Sequence, residues 1–268
     1  MKTVRKQLLA FVLTAALLLG GAAPVFAASV NEQEAVDLVF AHIGDRFGTP
    51  QVPLSEIQAV PGYDDEMVIQ YFVEVAMYGE YDGYRGYLMR YEKPITYYVM
   101  GEPYDEDILH LADLTAALNS IPGYPGISRV WDESQATIRI MFSDEVTYEN
   151  YFGLNVPDNS WGYANCWYYT DPSILGEMSR TEIWISEDAW PRRDRNSVIS
   201  EEFIQGQGML NDPSYGFYSI FDQHRNDCDW PSALDWAVVR LLYDPRMERT
   251  ASEAEIRRIA QEILDSWK

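Results

Sequence analysis

The chain has 268 residues, of which 47% are hydrophobic and 14% aromatic, and its 42 acidic and 20 basic side chains give a formal net charge of −22. So apolar a composition excludes a disordered polyanion, and the length is sufficient to bury a substantial core. The negative charge excludes nucleic acid as a natural partner and disfavours anionic membranes, because both would repel the chain.

The N-terminus has the pattern of an export signal. Basic residues open the chain, an apolar run follows over residues 8–19, and small residues lead to Ala27. The run is about half as long as a membrane-spanning helix requires. We therefore predict a signal peptide over residues 1–27, cleaved after Ala27, and a secreted or extracytoplasmic mature chain that contacts no membrane. A retained N-terminal anchor is the alternative.

Residues 28–102 are predicted to form a small α+β module. Asn31 is a suitable N-cap for a helix that ends at Gly44. Dense branched and aromatic residues then predict strands, and Asp82-Gly83 predicts a hairpin turn between the first two of them. The predicted strands cover residues 67–77, 84–91 and 95–100.

Residues 103–268 are predicted to form a second α+β domain. Apolar residues at helical spacing indicate a helix over 106–119, and alternation indicates a strand over 136–142. Residues 151–178 are predicted to be rich in loops and aromatic side chains. The remaining predictions are a strand over 181–186 and helices over 197–206, 233–243 and 252–267.

The two cysteines, Cys166 and Cys228, both lie in the part of the chain predicted to be exported. In an oxidising compartment such a pair is expected to form a disulfide. Two separate buried thiols are the alternative. A cysteine-only metal site is excluded, because two sulfur atoms without a nearby histidine cannot complete one.

The segment 201–212, with the sequence EEFIQGQGMLND, carries the pattern most indicative of chemistry. Glu201 and Gln205 are four residues apart and share a helix face, with Glu202 adjacent. Its spacing resembles the H-E-x-x-H-x-x-G-x-x-H signature of the metzincin metallopeptidases. In that signature the histidines bind zinc, the glutamate activates water, and the glycine turns the chain towards the third ligand. The resemblance places Gly208 at the turn, Glu202 at the general-base position, and oxygen donors at the ligand positions, namely Glu201, Gln205 and Asn211 with Asp212 beside it.

Two further features follow in the same order. Ser219, Ile220 and Phe221 resemble the Met-turn of that family, with Phe in place of Met. The segment from Asp235 to Tyr243 resembles the closing helix of the matrixins. The resemblance extends over about residues 105–268. This part of the chain is similar to a bacterial group of exported metzincin-like proteins, and the similarity implies a zincin-like domain. It also implies that the strand over 181–186 is the edge strand beside the substrate cleft.

The exchanged ligands argue against a catalytic zinc ion. The three histidines, His42, His110 and His224, lie outside the ligand positions, and amide oxygens are poor substitutes for imidazole nitrogen. His224 follows the Met-turn-like segment, close enough for its side chain to reach the cleft. An ordinary surface or core residue is the alternative. A further alternative is that the oxygen donors at 201, 205, 211 and 212 bind a hard cation such as calcium, although EF-hand spacing is absent. The simplest alternative is a solvated helix face that ends in a glycine cap.

These observations predict a catalytically inactive peptidase homologue, without zinc or another cofactor, that binds an extended peptide or protein. The first rival is an active metallopeptidase that uses Glu202 with unusual oxygen ligands. The second is an extracellular carbohydrate-binding protein that uses the aromatic residues near 161–169, for which packing around Cys166 is the simpler reading.

Overall fold

The computed structural model describes residues 64–81, 83–158, 160–188, 193–215, 219–223 and 228–268. The predicted signal peptide, the predicted helix that ends at Gly44, His42 and His224 lie outside these residues. No helix within the described ranges combines the length and the apolar character that crossing a lipid bilayer requires.

The described residues form a mixed α+β structure around one five-stranded sheet. The helices are α1 Asp65–Met77, α2 Asp105–Asn119, α3 Glu145–Phe152, α4 Arg193–Gln205, α5 Ala233–Tyr243 and α6 Glu253–Asp265, with a short 3-10 turn at Glu133–Gln135. The strands are β1 Tyr78–Gly79, β2 Gly83–Tyr84, β3 Ile95–Gly101, β4 Ile127–Arg129, β5 Ile138–Ser143, β6 Gly162–Tyr168 and β7 Met178–Ser186.

The large sheet has the strand order β4-β3-β5-β7-β6 and is mostly parallel. β3 pairs in parallel with β4 and β5, and β5 pairs in parallel with β7. β6 runs antiparallel to β7, with Ala164 opposite Ile183, and it ends the sheet. Among the described strands, β6 therefore has β7 as its single hydrogen-bonded neighbour, and no described strand pairs with its other edge. The short strands β1 and β2 form a separate antiparallel hairpin.

Helices cover both faces of the sheet. On one face, Tyr148 of α3 packs with Met141 and Trp184 in a small apolar cluster. On the other face, residues of α2, α4, α5 and α6 enter one large core together with the alternate residues of β5 and β7. Tyr97 of β3 meets Phe203 of α4 edge to face at 5.5 Å between ring centroids. Helix α4 also packs against β7 and β6, at the end of the sheet opposite β4.

Residues 67–77 form helix α1, so the prediction of a strand there is wrong. Asp64 caps the helix by accepting a hydrogen bond from Met67 N at 2.9 Å. Eight residues of α1 are buried, because the helix packs against both α5 and α6. A helix covered on most sides carries apolar residues all round, so its sequence loses the one-sided periodicity that identifies a surface helix.

Two other predictions need correction. In the predicted strand over 84–91, Tyr84 closes the β1–β2 hairpin and Arg90 forms one isolated bridge with Glu177, but no continuous strand forms. The region over 151–178, predicted to be rich in loops, contains β6, which was not predicted. Helix α3 was not predicted at all. The predicted strands at 95–100, 136–142 and 181–186 and the predicted helices at 106–119, 197–206, 233–243 and 252–267 are confirmed within a few residues.

The predicted boundary between residues 102 and 103 does not separate two cores. Strand β3, assigned by the sequence to the small module, lies between β4 and β5 in the large sheet. Helix α1, from the same predicted module, contributes Val68 and Phe72 to the core that also contains α5 and α6. From residue 64 onward the described chain is therefore one packed unit.

Candidate functional site

A cavity of about 380 Å³ lies between β6, the β1–β2 hairpin and helix α4. Residues 160–166 of the edge-strand region form one wall. Glu80, Tyr81 and Arg85 line the side of the hairpin. The helix and the loop that follows it complete the cavity with Val198, Glu201, Glu202, Gln205, Leu210 and Asp212.

Strand β6 borders the cavity with its open edge. Consecutive residues from 160 to 166 line the cavity, although consecutive side chains of a strand point to opposite faces. Trp161 O accepts a hydrogen bond from Ser186 N of β7 at 2.9 Å. Because pairing alternates along an antiparallel strand, the backbone N–H and C=O groups of Gly162, Ala164 and Cys166 point away from β7 and towards the cavity.

Helix α4 is held in place by buried polar contacts to α2. Arg195 Nε donates to both carboxylate oxygens of Asp107 at 3.0 Å. His110 Nε2 lies 2.7 Å from Ser200 Oγ, and Ser200 Oγ donates to Asp229 O at 3.0 Å. Burial lowers the pKa of His110 to about 4. Because Ser200 is 0% exposed, this serine–histidine contact fixes the helix and is closed to a substrate.

The turn after α4 returns the chain to the cavity. Gly208 N donates to Gln205 O at 2.9 Å, and Gly208 has a φ of 115°. A Cβ at this position would overlap the carbonyl oxygen of Met89, so the turn requires glycine. Glu80 N then donates to Leu210 O at 2.9 Å, which joins the hairpin to the loop. The glycine predicted to turn the chain therefore does so, and Asp212 reaches the cavity.

Glu202 is the most enclosed acidic group of the cavity wall. Its side chain is 7% exposed, and its Oε2 is buried without a hydrogen-bond partner. It lies beside the edge strand at Gly162, where a Cβ would come within 2.6 Å of Glu202 Cγ and Oε1. The absence of a side chain at 162 therefore leaves the space that the Glu202 carboxyl occupies. A buried polar atom without a partner is uncommon and requires an explanation, such as a ligand.

Neighbouring carboxyls make this wall strongly electronegative. Burial raises the pKa of Glu202 well above its ordinary value, and the charges of Asp212 and Glu80 raise it further. The pKa of Glu201 is raised in the same direction by burial, Asp212 and Glu202, although part of its surface remains open. Burial and Glu80 raise the pKa of Asp212 to about 8, against a lowering contribution from the hydrogen bond donated by Gln205 Nε2.

The structure brings together four of the predicted site residues, Glu201, Glu202, Gln205 and Asp212. Asn211 is half-buried beside them and does not line the cavity. The reading of a solvated helix face is wrong for Glu202 and Gln205, which are 7% and 9% exposed. Sequence reasoning missed Glu80, Tyr81, Arg85 and Gly162, because no local pattern indicates that the hairpin meets β6.

The Met-turn-like segment and the closing helix serve as a buried support. Ser219 Oγ donates to Asp235 Oδ1 at 2.5 Å, and Ile220 N donates to Asp235 Oδ2 at 3.2 Å. Phe221 N donates to Ser219 Oγ at 3.0 Å. Burial raises the pKa of Asp235 to about 6, against lowering hydrogen bonds from Ser219 and Ser232. These contacts fix the 219–221 turn to α5.

Tyr243, at the end of α5, braces the turn after α4. Its hydroxyl donates to Gln207 O at 2.9 Å and lies 3.4 Å from Tyr91 N. The contact therefore holds the residue next to Gly208. Ser219, Ile220, Phe221, Asp235 and Tyr243 are all buried, and none of them lines the cavity.

The predicted disulfide between Cys166 and Cys228 does not form in the structure, where both residues are thiols. Cys166 lies on β6 opposite Thr181, whose hydroxyl donates to Cys166 Sγ at 3.5 Å. Burial raises the pKa of the Cys166 thiol to about 12. Cys228 is fully buried in the large core. The prediction is wrong because export of both cysteines and their even number do not determine the distance between the two sulfur atoms.

The donor set does not fit a zinc ion. No imidazole occupies the predicted ligand positions, and the Gln205 amide already donates to Asp212. Within the part of the chain that the structure describes, no group of three or more His, Cys, Asp or Glu side chains has the geometry of a metal site. The cavity wall instead presents carboxyl groups, one of which has an unpartnered oxygen.

A family model with the description "Protein of unknown function (DUF2927)" matches residues 65–262. The match begins at the first residue of α1 and ends within α6, so it includes every wall of the cavity and crosses the predicted boundary at residue 102. Comparison with curated proteins gives no match.

Proposed function

Because the chain belongs to the DUF2927 family, whose description names no activity, we propose from its cavity that it is an exported peptide-binding protein with a zincin-like domain. An extended peptide or protein segment pairs with β6 along the cavity, and no metal-dependent cleavage follows. The single observation that carries this proposal is the outward edge of β6 along the length of the cavity wall.

An open strand edge is a ready template for another strand. The outward N–H and C=O groups of Gly162, Ala164 and Cys166 offer a peptide the hydrogen bonds that a sixth strand would make. Long exposed edges are normally blunted in soluble proteins. Here the hairpin faces the edge across the cavity, with the Tyr81 and Tyr163 rings 6.5 Å apart. This enclosure favours a single inserted strand over edge-to-edge pairing of two copies.

The zincin-like assignment rests on the order of the features. The resemblance implies a cleft between an edge strand and a helix that carries a glutamate, followed by a glycine turn and a Met-turn. Edge strand β6, Glu202 on α4, Gly208 and the Ser219 turn supply that order. The expected position of the edge strand was wrong by one strand, because residues 181–186 belong to β7 and β6 lies outside it.

Loss of catalysis follows from the donor chemistry. Water activation in this class of site depends on a metal that lowers the pKa of water to about 7. Gln205 is committed to Asp212, and imidazole is missing from the ligand positions. Burial also raises the pKa of Glu202, which disfavours the ionised form that a general base requires. An active peptidase would need both a bound metal ion and an ionised Glu202.

Carbohydrate binding remains the second candidate because Trp161, at the cavity, is 46% exposed. Other rings of the same stretch already have partners. Trp167 lies 4.0 Å beneath the Arg180 guanidinium, and Tyr168 packs against Tyr87 at 5.9 Å. A single exposed ring supports one stacking contact, whereas the open backbone edge offers several hydrogen bonds.

The test uses fluorescent nine-residue peptides of alternating threonine and valine, with arginine placed in turn at each of the five central positions. Binding is followed by fluorescence anisotropy against the full mature chain. We then methylate one backbone amide of a bound peptide at a time. Methylation should abolish binding at every second position only, because alternate amides of an added strand face β6. Equal tolerance at all positions would contradict strand addition.

A matched pair of variants tests the same strand from the side of the protein. Ala164→Pro removes an N–H that points to the cavity, and proline is tolerated on an edge strand at such a position. Ala164→Ser keeps the N–H and a similar volume. We expect Ala164→Pro to weaken peptide binding about tenfold, which corresponds to the loss of one hydrogen bond. Ala164→Ser should bind the peptide as the unmodified chain does. Oligosaccharide binding without peptide binding would favour the second candidate.

A further inference from the structure

Four carboxyl groups from three separate segments meet at the cavity. Glu80 follows β1, Glu201 and Glu202 lie in α4, and Asp212 lies in the loop after α4. We refer to these four residues as the carboxyl cluster. Their mutual repulsion is visible in the electrostatics, because Asp212 and Glu80 both act on Glu202. Concentrating like charges in an enclosed wall costs stability unless a partner of opposite charge uses the site.

Glu202 supplies an independent indication of a ligand. It is more than nine-tenths buried, it lines the cavity, and its Oε2 has no hydrogen-bond partner. The chain has also kept the space for this carboxyl free, because only glycine at 162 avoids a close contact with it. A buried carboxylate normally accepts two hydrogen bonds or more, so the Glu202 carboxyl is arranged for a donor that the described residues do not provide.

The basic side chain on the cavity wall does not fill this role. Arg85 lines the cavity, but its Nη1 donates to Tyr78 O at 2.6 Å. Its guanidinium also occupies the space over Gly79, where any Cβ would overlap it. Arg85 is thereby held on the hairpin, while Glu202 lies across the cavity against Gly162.

Sheet geometry determines which part of a peptide would reach Glu202. Residues directly opposite each other on neighbouring strands send their side chains to the same face of the sheet. At Gly162, the direction of the missing side chain points to Glu202. The peptide residue placed opposite Gly162 therefore projects its own side chain to the face where the carboxyl cluster lies.

We propose that the carboxyl cluster selects a peptide with a lysine or arginine side chain at the position opposite Gly162, and that Glu202 accepts its hydrogen bond. This inference rests on the proposed function and names the ligand class of the same cavity. A long cationic side chain fits because its stem crosses the strand edge while its donors reach the Glu202 carboxyl, whose Oε1 lies beside Gly162. A cation beside Glu202 favours the ionised carboxyl that burial disfavours in the empty cavity. The resulting charge-assisted hydrogen bond is about twice as strong as a neutral one.

The test compares the arginine peptides described above with the same peptides carrying citrulline, which keeps the shape of arginine and loses its charge. A lysine and norleucine pair provides the second comparison. At one of the scanned positions we expect the arginine peptide to bind about tenfold or more tightly than the citrulline peptide. Raising the salt concentration to about 1 M should reduce this ratio, although less than for an exposed ion pair.

Variants assign the preference to the carboxyl cluster. Glu202→Gln and, separately, Asp212→Asn should each lower the arginine-to-citrulline ratio. Glu145→Gln makes the same change at an exposed site on α3, outside the cavity, and should leave the ratio unchanged. Circular dichroism melting checks that each variant is folded, and two independent variants guard against the failure of one.

The outcomes are distinct. If arginine and citrulline peptides bind equally and still depend on Ala164, cation selection is overturned and the proposed function stands. If none of the peptides binds, the proposed function falls and the inference falls with it. If the preference persists in both folded carboxyl variants, the carboxyl cluster is not the selecting group, and the inference is overturned.

Discussion

Removing one charge from the carboxyl cluster should make the protein more stable at neutral pH. In the folded chain the pKa of Asp212 is about 8, raised by burial and Glu80 from an ordinary value near 3.8. Between these two values the folded state keeps a proton that the unfolded state has released. Stability therefore falls as the pH rises through this window, and the full penalty is present only above the folded pKa.

The size of the effect follows from the pKa difference. A pKa difference of about four, at roughly 1.36 kcal/mol for each pKa unit, gives an upper limit of about 5.5 kcal/mol. Asp212 is only partly enclosed, and its proton is shared with the neighbouring carboxyls, so about half of that limit is a realistic magnitude. Asp212→Asn keeps an oxygen that can accept the hydrogen bond from Gln205. We expect it to stabilise the chain by about 3 kcal/mol at pH 8.5 and by little at pH 4.

Urea unfolding measured from pH 4 to pH 8.5 tests this reasoning. The unmodified chain should lose stability across the window, and Asp212→Asn should lose less. Asp188→Asn, at an exposed position outside the cavity, provides the matched charge control. Parallel curves for the unmodified chain and Asp212→Asn would refute the argument, because they would show that Asp212 ionises equally easily in both states.

Gly208→Ala should unfold the chain or destabilise it by roughly 3 kcal/mol or more in a thermal melt, because a Cβ there overlaps Met89 O and the φ of 115° is strained for alanine. Normal melting would show that the turn after α4 can rearrange. Thiol labelling of the denatured, unreduced chain should find two reactive cysteines, since Cys166 and Cys228 are not joined in the structure. Absence of labelling would show that the two cysteines form a disulfide.

Local patterns were sufficient wherever a segment has one buried face or a spacing tied to chemistry. Residues 252–267 were predicted as a helix, and α6 forms there with its buried residues at helical spacing on one face. The spacing of Glu201, Glu202, Gln205, Gly208 and Asp212 predicted a helix, a glycine turn and a return of the chain to one site, and four of these residues line the cavity. Such inferences succeed because the spacing itself is the physical constraint.

Contacts between distant segments were beyond the sequence. Helix α1 was taken for a strand because burial on most sides removed its periodicity. Strand β6 was taken for a loop because an edge strand beside a polar cavity is half-buried along its whole length and lacks clear alternation. Glu80 and Gly162 acquire their roles only through the approach of the hairpin and α4 to β6.

A substitution at Gly162 distinguishes peptide binding from the selection of a cationic side chain. In Gly162→Ala the new Cβ would lie 2.5 Å from Val198 Cγ1 and 2.6 Å from Glu202 Oε1, so the Glu202 side chain must turn away. The loss of chain entropy in the unfolded state favours alanine by about 0.4–1 kcal/mol, whereas crowding of this kind costs about 1–3 kcal/mol. A net destabilisation of about 1–2 kcal/mol is therefore expected.

The same substitution leaves the outward N–H and C=O groups of β6 in place. Citrulline peptides should thus still bind Gly162→Ala, while the additional affinity of arginine peptides should be lost, because the Glu202 carboxyl no longer lies beside the strand. Anisotropy titrations of both peptides measure the two effects separately. Retention of the full arginine preference in a folded Gly162→Ala chain would show that Glu202 does not meet the peptide next to Gly162, and the site would have to be assigned elsewhere on the cavity wall.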